Sequence, residues 1–362
     1  MTAFAYYRLP HEHHCTYLEQ EGGEPEVFTS IGSLNGKEGF VIAPFSPSAS
    51  SPILLMHPDK VNILDVKESQ DATTAQITEL HTSKEVYQRD FDCFHAPLRQ
   101  GIFKKIVLAK CSQAKISHLT IDEDKTISKQ SAEALFMRTC LLYPRLFIAL
   151  VHTQTSGTWL MATPEILLSG NGKVYKTMAL AGTQQAPVSE WSDKNKEEQQ
   201  YVTDYIEEVL SHFTNHCEKK GPFTTMAAKL YHLRTDFTFQ LQDDFDTEKP
   251  SGYHRLGDVL EALFPTPAVC GIPKETTRQF ILSHESIDRK YYSGFVGPIS
   301  PSGMTELYVS LRCMNLFPDG TCHLYAGGGL LKSSEADKEW EETEAKLQTM
   351  KKVLAPTPPT AF

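Results

Sequence analysis

Short apolar segments of strand length recur along this chain in runs, and the gaps between them are often short enough for a hairpin. Such runs occupy residues 146–179 and 294–326, and segments with helical periodicity lie between and after them. A parallel sheet would need a long crossover, usually a helix, between neighbouring strands. The pattern therefore predicts an α+β fold with largely antiparallel sheets and with helices packed outside them.

Several segments give definite secondary-structure predictions. Residues 103–111 (FKKIVLAKC) are apolar on both faces, which is typical of a strand inside a sheet. Residues 193–217 are predicted as one long amphipathic helix and residues 230–233 as a short strand. The end of the chain is predicted as two strands, a triple glycine and a helix, at 305–312, 321–326, 327–329 and 335–354.

The domain organisation follows from where recognisable patterns begin. Residues 1–85 carry few motifs and are predicted as an N-terminal part of the same fold, while residues 86–355 form its main body. No Pro-, Gly- or Ser-rich linker marks a boundary between them. The prolines in residues 356–362 are incompatible with a continuing helix, so this tail is expected to be disordered.

The charge balance limits the classes of partner. The chain has 362 residues and a formal net charge of −10, which disfavours nucleic-acid binding because phosphate contacts need clustered Lys and Arg. No apolar stretch approaches the roughly 18 residues of a membrane span, and the N-terminus does not resemble a secretion signal. We therefore expect a soluble, cytoplasmic protein that meets any anionic ligand with local cations or a metal.

The triple glycine lies close to a carboxylate and a cation. Glycines allow a ligand to approach the backbone N–H groups closely, and Glu342 and Lys346 are one helical turn apart just downstream. This combination predicts an enzyme that acts on a small anionic molecule.

Two glutamates are candidate metal ligands. Glu198 lies on the apolar face of the helix predicted at 193–217, and a buried carboxylate needs a cation or a metal. The alternative is a partly solvated glutamate in the first helical turn. Glu342 alone could equally be a solvated partner of Lys346. Together, two carboxylates from two helices would suit Mg²⁺, which commonly takes one or two carboxylates and completes its shell with water and substrate oxygens.

Lys105 and Glu165 are candidate proton-transfer groups. Burial in a strand would favour the neutral amine of Lys105, a general base, whereas an edge lysine would extend into solvent. Glu165 follows a proline at a turn between strands, where a dry environment would make it a general acid. Most glutamates at turns are simply solvated.

Eleven segments occur in an order that carries a resemblance. They are KIVLAK (105–110), MATPEILL (161–168), LAGT (180–183), the helix start at 194–198, YHL (231–233), PTPAVCG (265–271), the helix end at 285–289, FVG (295–297), LRC (311–313), AGGG (326–329) and EETEAK (341–346). Together they resemble the chorismate-binding enzyme family over about residues 100–352. That family includes isochorismate synthases, salicylate synthases and the synthase components for anthranilate and aminodeoxychorismate. The resemblance implies an anthranilate synthase component I-like fold and chorismate as substrate.

The resemblance also implies roles for individual residues. Glu198 and Glu342 match the family's Mg²⁺ ligands. Glu165 matches a group that protonates the departing C4 hydroxyl. The remaining matches are substrate-binding positions, with Arg312 and Lys346 holding substrate carboxylates and His232 lying near the leaving hydroxyl: Thr183, His232, Ala268, Arg312, Gly327, Gly328, Gly329 and Lys346.

The residue at position 105 indicates which branch of the family this chain resembles. Members that add ammonia lack a lysine at this position, and members that add water have it. Ala181 stands where aminodeoxychorismate members often carry a lysine, and Ala268 in PTPA is similar to the isochorismate synthase version, although Phe264 departs from the histidine that often precedes PTPA. The resemblance thus implies a monomeric isochorismate synthase that feeds menaquinone or siderophore biosynthesis. A salicylate synthase and a catalytically inactive chorismate-binding protein are the alternatives.

Overall fold

The computed structural model describes residues 3–67, 75–123, 125–186, 190–241 and 255–355. The tail predicted at 356–362 lies outside these ranges. The α-helices in the described ranges are α1 (Lys84–Arg99), α2 (Lys129–Leu142), α3 (Asp193–Leu210), α4 (Leu256–Leu263), α5 (Lys274–His284) and α6 (Ala336–Val353). None of them combines the length and apolar character that a membrane-spanning helix requires.

The strands fall into two sheets. Those of the ten-stranded sheet are β1 (Ala3–Arg8), β2 (His14–Gln20), β6 (Lys60–Asp65), β7 (Gln76–His81), β8 (Lys105–Ser117), β9 (Phe147–Thr153), β10 (Gly157–Thr163), β15 (Gly271–Ile272), β18 (Cys313–Leu316) and β19 (Thr321–Leu330). Those of the nine-stranded sheet are β3 (Glu26–Phe28), β4 (Gly39–Ala43), β5 (Ile53–Met56), β11 (Ile166–Asn171), β12 (Val174–Gln184), β13 (Cys217–Ala227), β14 (Leu230–Gln240), β16 (Phe295–Ile299) and β17 (Met304–Val309).

Both sheets are antiparallel in every strand pair of the described residues, which confirms the predicted α+β class. The larger sheet has the order β15-β8-β19-β18-β10-β9-β1-β2-β6, with β7 also paired to β8. The smaller has the order β13-β14-β12-β11-β17-β16-β4-β5-β3. The N-terminal strands join both sheets, so residues 3–65 belong to the same folded unit as the rest.

The helices cover the outer faces of the two stacked sheets. Apolar side chains of both sheets, such as Trp159 from β10 and Phe40 from β4, pack in the layer between them. Helices α2 and α6 pack on the outer face of the larger sheet, and α3 and α4 pack on that of the smaller. Burial of these apolar faces supplies the main favourable term for folding.

The helix predicted at 193–217 is too long. Helix α3 ends at Leu210, and Cys217 already begins β13, which pairs with β14. Gly221 adopts a φ of +133° and is followed by Pro222, and neither residue suits a helix. The short strand predicted at 230–233 is the start of the eleven-residue β14.

The C-terminal prediction also needs two corrections. The strand predicted at 321–326 is too short, because β19 continues through the triple glycine to Leu330 in an unbroken ladder with β8. The strand predicted at 305–312 ends at Val309. Arg312 instead lies at a turn with a φ of +47°, in the left-handed region that is unfavourable for a residue with a Cβ.

Candidate active site

On one side of β8, a buried ion pair makes the backbone hydrogen bonds that a neighbouring strand would otherwise make. Strand β15 pairs only with the first two residues of β8. Beyond them, Arg289 donates to the carbonyl of Val107 at 2.8 Å, and the amide of Ala109 donates to Glu285 at 2.7 Å. Arg289 and Glu285 are themselves a buried ion pair at 2.6 Å. The backbone of β8 is therefore satisfied on this side, and its other side is free to pair with the glycines of β19.

The glycines of β19 present an open edge to the cavity. Gly327 and Gly329 lie opposite Ala109 and Val107, whose polar backbone groups point away from β19. By the alternation of an antiparallel ladder, the amides of these two glycines also point away from β8. The carbonyl of Gly327 accepts a hydrogen bond from Lys346 at 2.9 Å on that side. Gly327 and Gly329, rather than all three glycines, therefore offer backbone N–H groups to an anion.

Lys105 forms a fully buried ion pair with Glu198. Its Nζ lies 3.1 Å from Glu198 Oε1, and its side chain is 0% exposed, which excludes the solvent-exposed alternative. A Cβ on Gly329 would overlap Glu198 Oε1 and lie 2.8 Å from Lys105 Cε. The glycine is thus required by the close packing of this pair. Burial would raise the pKa of Glu198, but Lys105, Lys194 and Lys346 together hold this pKa below its ordinary value.

Glu165 is buried and holds its proton near neutral pH. Its side chain is 3% exposed, and burial raises its pKa to about 8, against the opposing charges of Lys105, Lys346 and Arg312. The solvated alternative for this turn residue is therefore excluded. A carboxyl group that is protonated at pH 7 can donate a proton, which is the property that a general acid requires.

Arg312 is held by neutral groups. Its Nη1 donates to the carbonyl of Ala227 at 3.0 Å, and its Nη2 lies 2.7 Å from His232 Nε2. His232 Nδ1 lies 2.9 Å from the carbonyl of Gly182. These contacts require a neutral His232 that donates from Nδ1 and accepts at Nε2. Burial and the charge of Arg312 accordingly put the pKa of His232 well below its usual range.

Lys346 joins the glycine edge to the last helix. Besides its bond to Gly327, it donates to Glu342 Oε1 at 2.8 Å. This confirms the expected contact between side chains four residues apart, and both remain partly accessible. Lys346 therefore stands between the backbone edge and one predicted metal ligand.

Most of the predicted positions surround one cavity of about 650 Å³, a volume that includes the part open to solvent. Those that line it are Glu165, Thr183, Glu198, His232, Ala268, Arg312, Gly327, Gly328, Gly329 and Lys346. Lys105 lies behind the wall, next to Glu198. Glu342 lines a second, polar cleft, and Thr183 lines both spaces.

Two charged residues were not assigned a role from the sequence. Lys194 and Glu339 form an ion pair between α3 and α6, and Glu339 is 2% exposed. Lys194 lies one turn before Glu198, and Glu339 lies one turn before Glu342. Their positions, each about one helical turn before a predicted ligand, were the available signal, but the sequence alone did not show that the two helices approach each other.

The residues beside Gly328 fit a hydrated divalent cation. A Cβ on Gly328 would lie 3.4 Å from Glu339 Oε2 and 3.7 Å from Glu342 Oε1, so the glycine keeps a space open beside two carboxylates. Glu339 Oε2 is buried and has no hydrogen-bond partner among the described residues. Within the same residues, no three His, Cys, Asp or Glu side chains form a ready metal cluster. Any Mg²⁺ here would therefore need water or substrate oxygens to complete its shell.

Sequence comparison places this architecture in a family. The profile described as chorismate binding enzyme matches residues 53–355. The chain belongs to the chorismate-binding enzyme family.

Similar proteins include isochorismate synthases. The chain is 31% identical over 215 residues to the isochorismate synthase DhbC of Bacillus subtilis, covering 56% of this chain and 52% of that protein. It is 27% identical over 270 residues to the isochorismate synthase MenF of Escherichia coli, covering 71% and 57%. The matches thus span little more than half the length of these relatives.

A solved structure supports the fold. The crystal structure of a putative 2,3-dihydroxybenzoate-specific isochorismate synthase from Bacillus anthracis superposes with a TM-score of 0.75 at 23% identity, covering 97% of this chain and 95% of that one. At this identity, the similarity confirms the predicted fold alone.

Proposed function

We propose that this protein is an isochorismate synthase that converts chorismate to isochorismate in the presence of Mg²⁺. The observation that carries the proposal is the buried Glu165, protonated near neutral pH, within the same charge cluster as Lys105. This supplies an acid and a candidate base for one reaction. The isochorismate synthases among the similar proteins support the same assignment.

The reaction needs one proton accepted and one donated. In the proposed mechanism, the ion pair of Lys105 with Glu198 opens and Lys105 first releases its ammonium proton to solvent. The neutral amine then takes a proton from a water molecule. The water oxygen bonds to C2, the two ring double bonds shift, and the C4–O bond breaks. Glu165 gives its proton to the departing hydroxyl, which leaves as water, so that atoms and charge balance.

The other residues of the cavity would bind the dianionic substrate. Arg312 and Lys346 provide the cationic groups for its carboxylates, and the N–H groups of Gly327 and Gly329 add neutral donors. Thr183 and Ala268 lie in the wall of the same cavity and would set its shape. His232 would hold Arg312 in place, because its own Nε2 is already engaged.

Glu198 and Glu342 would hold Mg²⁺, which neutralises and orients a substrate carboxylate when it is bound. Glu342 lies beside Gly328, where the structure leaves a space open, and Glu198 lies beside the adjacent Gly329, which supports this part of the proposal. The isochorismate would feed menaquinone or siderophore biosynthesis.

The test is a product assay. Purified protein with chorismate and Mg²⁺ should yield isochorismate by liquid chromatography, and chelation of Mg²⁺ should abolish the conversion. Salicylate and pyruvate as the sole products would instead identify a salicylate synthase. Chorismate binding by calorimetry without any product would identify an inactive binding protein.

A further inference from the structure

The two proposed metal ligands come from helices that rest on different sheets. Helix α3, which carries Glu198, packs on β12 and β14 of the nine-stranded sheet. Helix α6, which carries Glu342, packs on β19 of the ten-stranded sheet. The separation of the two carboxylates therefore depends on how the two layers are held together at this point.

Lys194 and Glu339 connect these helices beside the site. The ammonium of Lys194 donates to Glu339 Oε1, and both groups lie in the first turn of their helices. Glu339 is almost completely buried, whereas Lys194 keeps 22% of its side chain exposed in the second cleft. The other carboxylate oxygen of Glu339, Oε2, faces the space beside Gly328 and has no hydrogen-bond partner among the described residues.

The ion pair of Lys194 and Glu339 differs in burial from a second ion pair that involves α3. Lys196 and Glu190 are 2.9 Å apart, but their side chains are 48% and 80% exposed. An exposed pair of this kind is screened by solvent and contributes little to geometry. The pair of Lys194 and Glu339 links two elements in a mostly buried position, where alternative conformations of either side chain would leave an unpaired buried charge.

We propose that Lys194 and Glu339 form a positioning pair that joins the first turns of α3 and α6 and thereby sets the separation of Glu198 and Glu342 for Mg²⁺. The inference rests on the proposed function only in taking Mg²⁺ as the cation. Neither residue has to touch the substrate for the pair to act. Groups that orient metal ligands from outside typically change metal affinity by about 10- to 100-fold when they are removed.

The main test is the double variant Lys194→Met/Glu339→Gln. It removes the connection without changing net charge, so any loss of Mg²⁺ affinity cannot be attributed to altered long-range attraction. We expect the Mg²⁺ concentration for half-maximal activity to rise by about 10-fold or more, with kcat at saturating Mg²⁺ within about 3-fold of wild type. The matched control, Lys196→Met/Glu190→Gln, should leave both quantities unchanged.

A second readout does not require turnover. The rise in Tm on titration with MgCl₂, measured with and without chorismate, should need about 10-fold more Mg²⁺ in the double variant than in wild type. The conservative variant Lys194→Arg keeps the ion pair with Glu339 and should stay close to wild type, which separates positioning from a general effect on folding.

Several results would overturn the proposal. They are a double variant with wild-type Mg²⁺ dependence in both readouts, a Lys194→Arg variant as impaired as the neutral double variant, and a wild-type Tm that does not respond to Mg²⁺ with or without chorismate. Failure of the proposed function gives a different result. A wild-type protein that makes no isochorismate but whose Tm rises with Mg²⁺ would refute the reaction, while the effect of the pair on Mg²⁺ binding would still be measured.

Discussion

Arg312 and Glu198 are both buried charges at the same cavity, but the structure compensates them differently. Arg312 is held by a backbone carbonyl and by the neutral His232, and no carboxylate in the described ranges pairs with it directly. Glu198 is paired with Lys105 and also experiences the charges of Lys194 and Lys346.

This difference indicates how each side would receive its ligand. The Arg312 side keeps a cation whose charge is not neutralised by direct pairing, so an anion can bind there without displacing a protein group. On the Glu198 side, lysines already neutralise the carboxylates, so a metal ion must share or replace their contacts. The two sides should therefore respond differently to mutation.

The largest effect is expected from Lys105→Met, which removes the amine that pairs with Glu198. Activity should fall by about 10⁴-fold, the upper range for a proton-transfer group, while chorismate still binds in calorimetry. The exposed neighbour offers a control, and Lys104→Met should retain wild-type turnover. Near-normal activity of Lys105→Met would refute the assigned role.

Glu165→Gln removes the proton donor and should lower kcat by about 10³-fold. The pKa of Glu165 is raised to about 8, so its acid form prevails below that pH and is lost above it. Wild-type kcat/KM should therefore fall as pH rises through about 8. The residual kcat/KM of Glu165→Gln should not fall as pH rises through about 8. If it still falls, a group other than Glu165 causes this pH dependence.

Two neighbouring glycines of β19, Gly328 and Gly329, should respond differently to substitution by alanine. In Gly329→Ala the new Cβ overlaps the carboxylate of Glu198, and we expect about 100-fold lower activity together with a loss of about 1–3 kcal/mol in the free energy of unfolding. In Gly328→Ala the nearest atom is 3.4 Å away, an ordinary contact distance, so the stability measured by urea unfolding should change by less than about 1 kcal/mol. Equal effects at both positions would contradict the packing described here.

His232→Leu tests the anion-binding side and should have the smallest effect on catalysis. Loss of the acceptor for Arg312 should raise KM for chorismate by about 10-fold, which corresponds to about 1.4 kcal/mol, with less change in kcat. Because the pKa of His232 lies well below its usual range, its protonation should not affect KM between pH 6 and 8. A kcat loss as large as that of Glu165→Gln would instead indicate a direct role in proton transfer.

The sequence predicted the fold class well because strand periodicity is a local property. It was less successful where tertiary pairing decides the structure. The helix predicted at 193–217 extended past the observed end at Leu210, because Cys217 already belongs to β13, an exposed edge strand that pairs with β14. The strand predicted at 321–326 likewise stopped short of the triple glycine, which is extended because Leu108 and its neighbours on β8 complete the ladder.

For the site, residue types and spacing predicted which positions converge, but not how they are paired. The contact of Lys346 with Glu342 follows from helical spacing. The ion pairs of Lys105 with Glu198 and of Lys194 with Glu339 join residues that are far apart in the chain, so no local pattern could reveal them. The same holds for the role of His232 in supporting Arg312.

The most direct test of the central claim is the origin of the new hydroxyl oxygen. When the purified protein converts chorismate with Mg²⁺ in H₂¹⁸O, mass spectrometry of the product should show isochorismate with one ¹⁸O in the hydroxyl at C2. Isochorismate without ¹⁸O would mean that the hydroxyl does not come from solvent, and it would contradict water addition by Lys105 and Glu165.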